Sequence, residues 1–490
     1  MDLVDVDSFG GIAADVDALL DDCFRDHPTY EAARAGDRFL IIGRKGSGKT
    51  AIYRRLLREA SHDYFPVGHS FDDYPWHHHD LQAQVGVPEE RRYVHSWKYL
   101  IYMTMSKVLL NFDQSVPFDE DSFEAVGDLE SFVVDSYGTR DPDITQLFSP
   151  DKEIRIKGRL NFPIVGADIE KLKIRELPPH VQEVNHEVEK RVLIAMNPNH
   201  KYVVLFDQLD LGFSPSDPTY LNRLTGLILA ARDVRRAARN SGRDLSVVVF
   251  LRDDLYGLLQ FEDKNKLTEA NLATVAWDIA GDADAPTLRG LMERRFGQTL
   301  HGGGSKPWNE VLDEGKEMPG RQTKYQHIVD RTFLRPRDMI KFSNEILSSY
   351  KNRGGEGPFT NEDVHSARDR YSDYLLRELD DEIAKHVPSY KEHLEVVGAV
   401  GRDHFTREQF AGAHGARPEL SDVDASAALQ ELFDFSVIAY LKTGGHGGGS
   451  NWVWRYLDPR PHRARVPADA EQFRVHRGFK EALDLIQGSL

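Results

Sequence analysis

Gly43, Arg44, Lys45, Gly46, Ser47, Gly48, Lys49 and Thr50 follow one another in the spacing G-x-x-x-x-G-K-[ST]. Glycines at these places let consecutive backbone N–H groups curl around an anion, and a helix starting there turns its positive end toward the same charge. The cradle is expected to run from Gly43 to Ala51, with Lys49 on the β- and γ-phosphates of ATP and Thr50 on Mg²⁺. Such a site needs an acidic partner for the metal. In KYVVLFDQLD an apolar run ends at Asp207, which is expected to be the second metal ligand. Gln208 stands where a glutamate commonly follows. Asp210 is the next carboxylate and the candidate to deprotonate the attacking water, with Gln208 as the alternative group to position it. Arg252 closes the run SVVVFL, and a guanidinium there would bond the γ-phosphate. Arg337, in FLRPRDMIKF, stands at the start of a helix that would fold back on the nucleotide.

The elements that must hold these groups are legible. RFLIIG, KYVVLF and SVVVFL are continuous apolar runs alternating with helical stretches, the pattern of a buried parallel sheet. Helices are expected over 93–111, 120–136 and 182–196 and along LNRLTGLILAARDVRRAARN, and a strand along YFPVGHSF. Residues 1–36 read as a helical lead-in. The stretch EIRIKGRLNFPIVGADIEKLKI alternates around a Pro/Gly break, as a β-hairpin insert at about 150–180 would. Gly/Pro-rich stretches at 281–286, 301–307 and 352–358 mark boundaries. The reading is an α/β chain: a P-loop core over 1–300, a helical lid over 301–385 and a winged-helix-like domain over 386–490.

Composition narrows the class. The 490 residues carry a net charge of −17, which repels nucleic acid and anionic membranes unless charge is segregated. One cysteine, Cys23, permits no internal disulfide and fits a reducing compartment. The acidic start MDLVDVDS lacks the order of a signal peptide, and no apolar run reaches the length of a membrane span. A cytoplasmic location is the expectation.

The order GRKGSGKTA, SFDDYPWHHHD, FDQLD, FLRDDLY, VAWD and RPRDMI resembles an uncharacterised family of bacterial P-loop ATPases in the STAND and KAP-like branch, neighbours of the AAA+ group. The resemblance spans most of residues 10–480. It implies an ATPase core, a helical lid and a C-terminal winged-helix-like domain. It also implies a signal-responsive switch of the kind that often serves bacterial defence against phage or mobile elements. Two departures stand out. LYGLLQFEDKNKLTE offers Lys264 and Lys266 where an arginine finger would be expected, and Arg294 and Arg295 are its nearest substitutes. No effector domain is evident, so a separate protein partner is implied, and homo-oligomerisation is left open.

Other candidates read more plainly as structure. His77, His78, His79 and Asp80, with His95, lack metal-ligand spacing and suggest a polar loop near the nucleotide. Trp76, Tyr74 and Trp97 read as packing residues. In the last domain FTREQFAGAHG and SDVDASAALQELFDFSVIAYL are expected helices, and LKTGGHGGGSNWVWRYL a wing. The second helix carries Asp422, Asp424, Glu431 and Asp434 and no Lys or Arg, which argues against DNA in a major groove. Trp452, Trp454 and Tyr456 alternate as if on one strand face. The reading is a Mg²⁺-dependent ATPase switch. A nucleotide-dependent DNA-binding initiator and a weakly hydrolysing assembly scaffold are its rivals, and nucleic acid is not the favoured partner.

Overall fold

The computed structural model describes residues 2–488 apart from 25–26, 72–75, 77–78, 81–82, 84–87, 148–152, 155–171, 174–180, 212–216, 218, 283, 384–386, 388, 445–448 and 458–464. The chain forms two compact units: Asp26–Arg44 with Lys49–Val275, and Met1–Arg25 with Lys45–Gly48 and Ala276–Leu490.

The first unit is α/β. Its sheet comprises β1 (Leu40–Gly43), β2 (Tyr64–Ser70), β5 (Lys201–Asp207), β6 (Asp244–Arg252) and β7 (Leu272–Thr274), in the order β2-β5-β6-β1-β7. All pairings are parallel. β1 is buried throughout, and β5 and β6 along nearly their whole length, which is why their sequences are apolar without alternation. The register aligns the strand ends: Gly43 pairs with Arg252, and Ser70 with Asp207. The helix Val94–Asn111 is buried on every face and packs with helices Glu120–Tyr137, Val181–Ala195 and Tyr220–Asn240. Asp119 and Ser122 cap the second of these reciprocally. β7, an edge strand of three residues, was too short to stand out in the sequence. Of the insert at about 150–180, the described parts are β3 (Glu153–Ile154) and β4 (Leu172–Lys173), which pair antiparallel; the rest lies outside the described residues.

The second unit is mainly helical, with helices Leu288–His301, Pro336–Asn352, Arg368–Ile383, Tyr390–Val400, Arg407–Gly415 and Ala425–Asp434. An antiparallel sheet of β8 (His404–Thr406), β9 (Ile438–Lys442), β10 (Asn451–Val453) and β11 (Gln472–Val475) runs in the order β10-β9-β11-β8. The expected wing is the β9–β10 hairpin, in which Trp452 pairs with Leu441. Its three aromatics do not share a strand face. The strand stops at Val453, and Trp454 and Tyr456 turn against His476, while Trp452 packs on His404.

The lead-in is helical in short pieces. It contains a turn at Leu3–Asp5, a short helix at Leu20–Cys23 and the helix Pro28–Ala35. Its first part is an extended strap within the second unit: Phe9 is buried, Asn344 brackets Phe9 and Gly10 with two hydrogen bonds, and Arg295 binds Asp17.

Candidate functional site

The glycine loop starts where β1 ends, and the helix Lys49–Arg58 starts where the loop ends. Gly46 and Gly48 take φ values of +80° and +108°, which side chains with a Cβ rarely adopt. Lys49 Nζ donates to the carbonyls of Gly43 at 2.7 Å and Arg44 at 3.0 Å, closing the start of the loop on itself. Burial lowers the Lys49 pKa, against the pull of Asp210, Asp207 and Asp253, which favour its charge.

Thr50 and Asp207 meet: the threonine hydroxyl lies near enough to the carboxylate to favour its charged form. Asp207 is 3% exposed, and burial raises its pKa to about 6, while Thr50, the Gln208 backbone N–H and Lys49 work the other way. Its Oδ2 is buried with no hydrogen-bond partner among the described residues. An orphaned carboxylate oxygen beside a hydroxyl is a pair of oxygen ligands that fits a hard divalent cation.

Two further groups of this unit stand at the strand ends. Gln208 takes φ +60°, unusual for a residue with a side chain, and its Oε1 accepts from Ser70 Oγ on the neighbouring strand. Arg252 is gripped by Asp254, with Nε to Oδ1 at 3.0 Å and Nη2 to Oδ2 at 2.5 Å, and its Nη1 lies 3.5 Å from Asp210 Oδ2. Asp210 therefore faces Arg252, and Arg252 is held in a carboxylate fork.

In the second unit the loop tip, Lys45–Gly48, is held by side chains reaching its carbonyls. Trp277 Nε1 donates to Ser47 O at 2.9 Å, and Arg335 Nη1 to Lys45 O at 3.1 Å. Arg337 lies along Gly46, where a Cβ would come within 3.1 Å of its own Cβ. Arg337 donates to Ile12 O at 3.2 Å and to Glu378 at 2.8 Å, and Lys45 Nζ stands 3.7 Å from the same Glu378 oxygen. Ser47 Oγ is buried without a partner among the described residues. Trp277 and Glu378 gave no signal in the sequence, because their roles rest on contacts with residues far away along the chain, 230 positions for Trp277 with Ser47 and 41 for Glu378 with Arg337.

The remaining candidates are structural. Lys264 donates to the carbonyls of Tyr256, Gly257 and Leu259, and exposed Lys266 pairs with Asp263. Arg295 is buried on Asp17, and Arg294 bonds Phe24 O. His79 is not part of a polar loop: it is fully buried, with Nδ1 at 2.8 Å from Ser96 Oγ and its ring 4.0 Å from that of Trp97. His77, His78 and Tyr74 lie outside the described residues. Among the described residues no group of three or more His, Cys, Asp or Glu is arranged to hold a metal, and no helix is long and apolar enough to cross a membrane.

No curated protein matches the chain. Residues 286–380, from the helix Leu288–His301 into Arg368–Ile383, match the family model of the FunZ-associated C-terminal helical domain.

Proposed function

We propose that the chain is a Mg²⁺-dependent ATPase of the P-loop class, working as a nucleotide-controlled conformational switch with a helical lid and a winged-helix-like C-terminal domain. The observation that carries this is the meeting of Thr50 with Asp207, 157 positions apart in the chain, with one buried carboxylate oxygen left over beside Lys49. In this reading Lys49, Arg44, Lys45 and the loop N–H groups from Gly43 to Ala51 bind the phosphates. Thr50 and Asp207 hold Mg²⁺, which supplies charge neutralisation for the leaving phosphates. Asp210 takes the proton of water, and Arg252 and Arg337 respond to the γ-phosphate. The resemblance to the STAND and KAP-like branch supports the switch role and, beyond it, a part in defence against phage or mobile elements through a separate protein partner. A phosphate-release assay on the purified chain tests the enzyme reading: turnover that stops on removal of Mg²⁺ supports it, and ATP that is bound but never hydrolysed overturns it.

One observation favours a second reading, the weakly hydrolysing scaffold. Arg252 is tied to both Asp254 and Asp210, so the proposed base and the proposed sensor neutralise each other. Turnover that rises when Asp254 is replaced by Asn would mark the Arg252–Asp254 fork as a brake on the switch.

A further inference from the structure

Elsewhere in the helical unit, one cluster gathers more positive charge than it neutralises. Arg331 is 5% exposed; its Nη1 donates to His327 O at 3.1 Å, and its Nη2 stands 3.8 Å from Glu481 Oε1. Arg368 Nε approaches the same Glu481 oxygen at 3.3 Å. Arg477 pairs with Asp330, whose carboxylate already accepts from Gln322 at 2.9 Å and Gln326 at 2.5 Å. Three guanidinium groups thus share two carboxylates.

Beneath them His327 is 4% exposed, and neither ring nitrogen has a hydrogen-bond partner among the described residues; nor does Arg331 Nε. Buried polar atoms are ordinarily bonded; Arg331 Nε and the one N–H of the neutral His327 ring are donors, and together they point to an acceptor supplied from outside the chain. The electrostatics agree. Burial, then Arg331, Arg368, Arg477 and His365, pushes the His327 pKa down to about 3. Burial, with Arg368 and Arg477, lowers that of Arg331 to about 10 despite Glu481.

We infer that His327, Arg331, Arg368 and Arg477 form a binding site for the phosphate group of a small molecule, sharing no residue with the glycine loop. Guanidinium forks match the several oxygens and double charge of a phosphate better than they match one more carboxylate. Nucleic acid is the poorer fit. A phosphodiester backbone is bound by rows of exposed cations, whereas His327 and Arg331 are recessed in a chain of net charge −17.

The test is calorimetric titration of the full chain with inorganic phosphate and, separately, with a short DNA duplex. The same titrations are run on Lys49→Ala, Arg368→Gln and Arg477→Gln. The last two replace the less buried arginines, and matched melting temperatures confirm that they fold. Expected are saturable phosphate binding that survives Lys49→Ala and a weakening of roughly tenfold in each arginine variant. The inference is overturned by no phosphate binding, by binding lost with Lys49→Ala, by binding indifferent to both arginine variants, or by arginine-dependent binding of the duplex without binding of phosphate.

Discussion

Arg335 is 2% exposed and bonds four oxygens: Asp338 through Nε at 2.8 Å and Nη2 at 2.9 Å, and Glu382 at 2.8 Å and Lys45 O at 3.1 Å through Nη1. It ties the start of the helix Pro336–Asn352 to the helix Arg368–Ile383 and to the loop tip. Asp338 is fully buried and Glu382 is 9% exposed, so Arg335→Met strands two carboxylates away from water. Removing one partner of a buried ion pair costs roughly 3–5 kcal/mol, which for a unit of this size lowers the melting temperature on the order of 10 °C. Replacing a buried charged set by neutral groups is far cheaper than breaking it. Arg335→Met combined with Asp338→Asn and Glu382→Gln should therefore regain most of the loss, the asparagine still accepting from Phe333 N as Asp338 does at 3.0 Å. With two units in one chain a single melting curve is ambiguous. The assay is hydrogen exchange followed by mass spectrometry on peptides from 324–352. A single variant that costs less than about 1 kcal/mol, or a triple variant no more stable than the single one, would show that the two carboxylates do not depend on Arg335.

The buried neutral ring of His327 sets a pH slope. Its pKa of about 3 lies below the ordinary 6.5, so between those values the unfolded chain holds a proton that the folded chain refuses. Stability therefore falls as pH falls through this window, by about 1.4 kcal/mol per pH unit. His327→Phe should flatten that slope in urea denaturation in phosphate-free buffer, and an unchanged slope would show that the ring is not held neutral. Asp207→Asn is expected to cut Mg²⁺-dependent hydrolysis on the order of a hundredfold while nucleotide affinity changes little; equal loss of both in turnover and calorimetric assays would make Asp207 structural. Arg252→Ala should reduce the preference for ATP over ADP, measured by calorimetry on a variant with unaltered melting, and equal weakening of both nucleotides would remove it as a γ-phosphate sensor.

The parallel sheet was legible because strands buried on both faces must be apolar throughout, as in KYVVLF and SVVVFL. The glycine loop was legible because its backbone requires Gly46 and Gly48 at positive φ. Contacts set by tertiary packing were not. Nothing in VAWD marks Trp277 as a donor to Ser47 O, and nothing near Glu378 marks it as the shared partner of Arg337 and Lys45. The histidine run misled because a buried His79 bonded to Ser96 has the same letters as a polar loop. The alternation of Trp452, Trp454 and Tyr456 misled because period two holds only as long as the strand does, and the strand ends at Val453. The cationic cluster around His327 was invisible because Arg331, Arg368 and Arg477 come from three separate segments.

In the proposed function Lys49 serves a nucleotide. The most direct test compares the full chain with Lys49→Ala for ATP binding by calorimetry and for phosphate release in Mg²⁺, after matched melting temperatures have been shown. Expected are binding and Mg²⁺-dependent hydrolysis by the unaltered chain, and turnover lower by on the order of a hundredfold or more in the variant. Hydrolysis by Lys49→Ala at the unaltered rate, or an unaltered chain that binds no nucleotide at all, would contradict the proposed function.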